Sequence, residues 1–429
     1  MRKVVFTICA KNYIGLAQVL EKSIIEHNED VDFYIFCADE FQSTDKIESL
    51  PNNVLIAKEV LNFTQEKWNE LSFKYEITEF CTCIKASCFK YIFEKFQPDA
   101  CIYFDPDILV FSSLEYVFEK LEQHSIILTP HITSMEDVYT GKLKEQNLLY
   151  SGMYNLGFLA LRNDNNSHKM LNWWEIRLDD RCFQNVMENY FTDQKWMDFL
   201  PCFFPTGLFI SFNLGLNLAP WNFYEREIVC VDNSYYITNR INKDDKTLYP
   251  LVFVHFSGFK YDLLLNDEIS GGNIQNLKIE NDLICIFKVY SAYLRTSDFS
   301  KYISLGYTYN YFSNKAKISM VHRKFFRRLI EDKKTTNNPF DANEDFFLSL
   351  KRHGLVKKRM AENDKSYIHN VDNAERKTIL INKLFISFFR IIGAEKYFLI
   401  VRLMRAYSKY ENHIYLIDRS YLKKFKIWT

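Results

Sequence analysis

Over its first third the chain switches repeatedly between two hydrophobic periods, and this alternation restricts the fold more than any other feature. Val4–Ala10 reads as a strand. Tyr13–His27 has helical spacing, with Leu16, Val19, Leu20 and Ile24 on one face. Asp32–Ala38 and Val54–Ala57 read as strands, Glu79–Phe96 as one strong helix, and Ala100–Phe104 as a strand. Leu114–Leu121 is helical and Ser125–Thr129 a further strand. Strands that alternate with helices imply a mostly parallel sheet with helices on both faces. Ligands of such sheets bind outside the carboxyl ends of the strands.

At one of those ends stands Tyr103-Phe104-Asp105-Pro106-Asp107-Ile108. Pro106 cannot donate a ladder hydrogen bond, so it ends the strand and fixes the turn. Side chains at i and i+2 of a strand share a face, so Asp105 and Asp107 are expected to converge. Two converging carboxylates repel, and a hard divalent cation such as Mg2+ or Mn2+ relieves that repulsion. Alone, an Asp-x-Asp also fits a loop with two solvated acids.

With 429 residues the chain is long for one domain. A domain over residues 1–275 and a helical region over 276–429 are expected, the charge-rich and Asn-rich Asp332–Asn373 joining the latter to the tail. Residues are 48% hydrophobic and 17% aromatic, enough for a large core. Lys and Arg number 54 against 54 Asp and Glu, a balance that argues against a globally basic nucleic-acid binder. Met1–Ala10 has only a brief apolar run before Lys11-Asn12, which favours a first strand over a secretory signal. Ten cysteines without zinc-type spacing fit reduced, buried thiols and a cytoplasmic location. The last fifty or so residues carry about twelve Lys or Arg against about four acids, interleaved with Phe385, Phe388, Phe389, Phe398, Tyr407, Tyr410, Tyr421 and Trp428. That pattern suits either a helical bundle with a basic face in water or a peripheral contact with the inner face of an anionic membrane.

Taken together, the ordered motifs of residues 1–265 resemble the GT-A fold glycosyltransferases, family 8-like enzymes and related bacterial polysaccharide glycosyltransferases. The resemblance implies a Rossmann-like α/β sheet, mixed but mostly parallel, with helices on both faces and a C-terminal helical appendage. It also implies a set of roles. Asp105 and Asp107 match the family's Asp-x-Asp, which holds Mn2+ or Mg2+ and through it the donor diphosphate. His255-Phe256-Ser257-Gly258-Phe259-Lys260 resembles the family's His-x-x-Gly-x-x-Lys, in which His255 completes the metal site. Gly258 and Lys260 then belong to the diphosphate contact, with Lys260 one position early. Tyr154-Asn155-Leu156-Gly157 resembles the segment lining the donor-sugar pocket, so Asn155 and Gly157 are site candidates. Asp193-Gln194 resembles the catalytic pair beside the anomeric carbon. Glu79 and Lys85 resemble the helix over the nucleotide, Lys85 facing the site. Thr7, Ala10 and Tyr13 lie where the base and ribose are held, in a loop that lacks the family's usual acids. The base, UDP or another, is left open.

The resemblance thus implies a metal-dependent transferase that moves a sugar from a nucleotide-sugar, UDP-linked by expectation, to a glycan or lipid-linked glycan in surface polysaccharide synthesis. Retention of anomeric configuration is expected on the same ground. Trp173, Trp174, Trp196 and Trp221 are candidate platforms for acceptor sugars. Competing readings are a sugar nucleotidyltransferase, a two-carboxylate hydrolase and a non-catalytic carbohydrate-binding protein. The first lacks its Gly-rich loop, since Cys9-Ala10-Lys11-Asn12-Tyr13 has no glycine. The second works without a metal through carboxyls set well apart. The third needs neither the Asp pair nor the His.

Overall fold

In the computed structural model, residues 1–232, 234–272, 280–334, 338–356 and 373–424 are described. Part of the joining stretch Asp332–Asn373 lies outside the described residues, as does Trp428. The chain packs as two units, one formed by Met1–Phe63 with Ile77–Thr308, the other by Thr64–Glu76 with Tyr309–Thr429.

The first unit is an α/β layer structure built on a seven-stranded sheet. Its strands are β1 (Lys3–Cys9), β2 (Val31–Cys37), β3 (Val54–Ile56), β4 (Ala100–Phe104), β6 (Ile126–Leu128), β7 (Phe158–Arg162) and β8 (Leu208–Ile210), in the order β8-β6-β7-β4-β1-β2-β3. All neighbours run parallel except β7, which is antiparallel to both β4 and β6. Every residue of β1 and β4 is buried, which is why both read as continuous apolar runs without alternation. Outside the sheet, β5 (Ile108–Val110) pairs antiparallel with β9 (Phe253–His255), Ile108 opposite His255.

Helices α1 (Ile14–His27), α2 (Ile77–Cys83) and α3 (Lys85–Lys95) lie against this sheet, while α4 (Asn165–Arg181) packs on α2 and α3, and α5 (Ile284–Arg295) on α1. The expected face of α1 is the buried one, with Leu16, Val19, Leu20 and Ile24 within 1% of full burial. The single helix expected over Glu79–Phe96 is instead two, α2 and α3, divided at Ile84 (φ −87°, ψ 0°). Thr82 supplies a reason. Its hydroxyl donates back to the Thr78 and Glu79 carbonyls at 2.9 and 3.1 Å, a competition with the helix ladder that bends helices.

The second unit is helical. Helix Gln65–Lys74, capped by the Thr64 hydroxyl, packs with α6 (Met320–Glu331) and α7 (Asp345–Arg352) about Phe73, Phe312, Phe325, Phe326, Phe346 and Phe347. The buried Arg323 guanidinium donates to the carbonyls of Ser72, Phe73 and Tyr75 at 3.0, 2.7 and 2.7 Å, and so satisfies the open end of that helix. A hairpin of α8 (Ala374–Ile392) and α9 (Ala394–Tyr407) follows.

Candidate functional site

β4 ends at Phe104 and β5 begins at Ile108, so Asp105-Pro106-Asp107 forms the turn between them at the carboxyl edge of the sheet. The Asp105 amide donates to the Gly157 carbonyl at 2.8 Å, and the Phe256 amide to the Asp107 carbonyl at 2.9 Å. These two bonds extend the β4–β7 and β5–β9 ladders by one step each. They fix the acid turn to the segments that carry Asn155 and His255.

The imidazole Nε2 of His255 lies 3.1 Å from Asp107 Oδ1 and 3.7 Å from Asp105 Oδ2. One ligand atom from each of the three residues falls within 4.8 Å of the others. Its other nitrogen, Nδ1, sits 3.1 Å from the Asn155 side-chain oxygen, which also accepts from Gly157 N and Asn217 Nδ2 at 3.2 Å each. That oxygen accepts only, so Nδ1 carries a proton in either charge state of the ring, and Nε2 is turned toward the acids. A second partner that fixes the tautomer is what metal-ligating histidines use. Around an ion with ligands near 2.1 Å, adjacent donor atoms lie about 3 Å apart. The Asp-Asp-His set fits a divalent cation by donor chemistry and by spacing.

Tyrosines complete the cluster. Tyr103 Oη donates to Asp105 Oδ1 at 2.5 Å, and Tyr261 Oη to Asp107 Oδ2 at 2.8 Å. Burial pushes the Asp105 carboxyl up, against the pull of Lys85 and His255. For Asp107, burial is outweighed by the charge and hydrogen bond of His255, and its carboxyl is held below the usual range. The His255 imidazole is raised, burial notwithstanding, by the same Asp107. Tyr13 belongs to this neighbourhood too. Its hydroxyl is pushed to about 12 by burial and by the charge of Asp107, and its ring meets Tyr261 edge-on at 6.0 Å.

Gly157 has a steric reason to be glycine. A Cβ there would stand 2.4 Å from His255 Cε1 and 2.6 Å from its Nδ1. Gly258 takes φ +75°, the left-handed region that glycine favours.

A second cluster adjoins the first through Asn155. Gln194 Oε1 accepts from Leu156 N at 3.0 Å and from Asn155 Nδ2 at 3.3 Å, while Gln194 Nε2 donates to the Ser151 carbonyl at 2.9 Å. Lys85, 1% exposed at the start of α3, donates to the Leu156 carbonyl at 2.9 Å and pairs with Asp193 Oδ2. Its ammonium also sits 4.0 Å from the centre of the Tyr103 ring. Lys85, Asn155, Gly157, Asp193 and Gln194 are thus tied into one network beside the acids. Lys260, by contrast, is exposed, one residue before Tyr261.

Ala10 is buried just past the end of β1, and the Thr7 hydroxyl is buried inside β1 with no hydrogen-bond partner among the described residues. Lys11 turns inward and donates to Glu40 O, Asp45 Oδ2 and Thr308 Oγ1 at 3.0, 2.9 and 3.0 Å. Besides Asp45, Asp39 lies near this loop, two residues past β2. Its Oδ1 accepts from Glu40 N and Thr308 N, and burial pushes its carboxyl to about 6. A raised carboxyl costs stability as pH rises through 6, because the folded state holds its proton more tightly than the unfolded chain. The Asp39→Asn variant lacks that term. Relative to wild type, it is expected to gain about 2 kcal/mol between pH 4 and pH 7, measured by denaturant unfolding. Parallel pH profiles would contradict the assignment.

Among the tryptophans, Trp174 is core: it is fully buried and its indole donates to the Asp193 carbonyl at 3.1 Å. Trp221 is 6% exposed and meets His255 and His131 edge-on at 5.3 Å. Trp173 and Trp196 join Phe199 and Phe203, each 49% exposed, in a surface aromatic cluster. Sequence reading missed Tyr103, Tyr261, Asn217 and His131. Tyr103 was within reach, lying two residues before Asp105. Burial holds His131 at about 4, hence neutral, and its Nε2 is 3.5 Å from Gln194 Nε2.

No family model matches the chain. Two curated proteins of Bacillus subtilis (strain 168) are similar, both described as uncharacterized. YfnF is 26% identical over 258 residues, 59% of this chain and 80% of its own length. YfnD is 23% identical over 259 residues, 59% of this chain and 76% of its own. Among solved structures, the galactosyltransferase LgtC in complex with donor and acceptor sugar analogues superposes with a TM-score of 0.39. It is 15% identical, over 68% of this chain and 96% of that one. The glycosyltransferase GlyE of Streptococcus pneumoniae TIGR4 gives 0.37 at 15% identity, over 73% of this chain and 67% of its own.

Proposed function

We propose that the chain is a metal-dependent glycosyltransferase of GT-A type, which takes a sugar from a nucleotide-sugar donor, UDP-linked by preference, and passes it to a glycan or lipid-linked glycan acceptor with retention of configuration. The observation that carries this reading is the convergence of Asp105, Asp107 and His255 at the carboxyl edge of the sheet. A hydrolase built on two carboxyls has no use for an imidazole between them.

Breaking the sugar–diphosphate bond builds negative charge on the leaving oxygen, and a Mn2+ or Mg2+ ion held by the three residues supplies the compensating charge. In this scheme the protein's own groups do the rest. The segment of Thr7, Ala10 and Tyr13 at the end of β1 holds the nucleoside, Gly258 lets the backbone approach the diphosphate, and Lys260 adds a flexible cation from the surface. Asn155 orients sugar hydroxyls. Asp193 and Gln194 flank the anomeric carbon, where an oxocarbenium-like centre gains from nearby carboxylate and amide oxygens. Lys85 positions Asp193. Catalysis belongs to residues 1–275 and the helical appendage to 276–429, with polysaccharide assembly as the setting.

A thermal-shift series tests donor and metal together. A nucleoside diphosphate with Mn2+ is expected to raise the melting temperature, and EDTA to reverse the gain. An equal response to UDP, GDP, CDP and ADP, or none, would count against the scheme. NMR of freshly formed product reports the anomeric outcome.

A further inference from the structure

The α8–α9 hairpin leaves an unusual amount of apolar surface in the open. Leu380, Leu384 and Ile391 are 60%, 62% and 81% exposed along one flank of α8, and Ile379 and Ile386 about half exposed along the other. On α9, Phe398 and Leu399 are 57% and 59% exposed. Within the hairpin, Tyr397 packs against Phe385, Phe388 and Phe389. Large exposed apolar patches mark interaction surfaces.

Charge says what kind. Each helix has one acid, Glu375 or Glu395, in its first turn, where it suits the positive helix end. Every later charged side chain is basic: Arg376, Lys377, Lys383 and Arg390 on α8, Lys396, Arg402 and Arg405 on α9. Arg376, Lys383 and Arg390 recur at seven-residue spacing and form one stripe between the two aliphatic flanks. A second copy of so basic a hairpin would bring like charges together, and a nucleic acid would leave the Leu, Ile and Phe side chains in water. An anionic lipid surface satisfies both features. Among the described residues no helix is long and apolar enough to cross a membrane, so the hairpin would lie in the interface, its long helix about 28 Å from end to end.

We propose that Ala374–Tyr407 docks on the surface of a membrane containing anionic phospholipid, the aliphatic flanks entering the acyl boundary and the basic stripe meeting headgroups. This inference stands on the second unit alone and survives if the transferase reading fails. The full chain is to be sedimented with vesicles of phosphatidylcholine and with vesicles carrying one third phosphatidylglycerol, at low and high salt. Binding is expected to the anionic vesicles and to weaken with salt. Removing the stripe (Arg376→Gln, Lys383→Gln, Arg390→Gln) is expected to weaken it about a hundredfold, roughly fivefold per charge, and Leu384→Ser with Ile391→Ser to weaken it independently. Circular dichroism and unchanged melting show that the variants fold. Absence of binding, equal binding to neutral vesicles, or a dimer in light scattering that both variant sets dissolve would overturn the proposal.

Discussion

Asp107→Ala is expected to lower turnover at least about a thousandfold while the protein stays folded. Asp107 has the shortest approach to the His255 imidazole, 3.1 Å, and faces the same point as Asp105. Removing it takes away a ligand and a negative charge together, and electrostatic stabilisation at a leaving group contributes several kcal/mol. The fold survives for a separate reason: the backbone bonds that pin the turn, Asp105 N to Gly157 O and Phe256 N to Asp107 O, do not involve this side chain. Circular dichroism and a melting curve beside the activity assay distinguish the outcomes. Retained activity would contradict the metal role, and loss of the fold would assign Asp107 to structure.

Lys85→Met is expected to have the largest effect on stability. Both members of the Lys85–Asp193 pair are almost wholly buried, their side chains 1% and 3% exposed. Breaking a buried pair from one side strands the remaining charge at a cost of about 3–5 kcal/mol. Adding Asp193→Asn removes that stranded charge, so the double variant is expected to regain much of the loss. Denaturant unfolding of the two singles and the double closes a mutant cycle. A single-variant cost below about 1 kcal/mol, or simple additivity, would mean that the two charges do not depend on each other. Such a result would also remove Lys85 from its role in positioning Asp193.

The legible parts of this chain were those governed by local rules. Strand and helix periodicity located β1, β2, β4 and α1 to within a residue or two, because burial on both faces of a parallel sheet leaves an unbroken apolar run in the sequence. The Asp-Pro-Asp turn was legible because proline ends a ladder wherever it stands. What stayed hidden depends on pairings between distant segments. The register that seats His255 opposite Ile108 is one such pairing; that the imidazole meets the acids was expected through the resemblance of His255-Phe256-Ser257-Gly258 to the family motif, not from strand periodicity. Tyr261 reaches Asp107 across a sequence separation of 154 residues. The break at Ile84 was missed because Glu79–Phe96 keeps helical periodicity through it; the back-bonding Thr82 was the signal. That break sets Lys85 at the head of α3, turned inward to the Leu156 carbonyl and Asp193. Lys260 is a different case. Its diphosphate contact is implied by the resemblance alone, in which it stands one position early, and its side chain is exposed.

The central claim is that two aspartates and a histidine hold one divalent ion for use in sugar transfer. Electron paramagnetic resonance of Mn2+ titrated into the protein with UDP present tests it most directly. One bound ion per chain is expected for the wild type, and loss of that ion in folded His255→Ala and Asp105→Asn variants. No bound ion in the wild type, or binding that both variants leave unchanged, would contradict the claim.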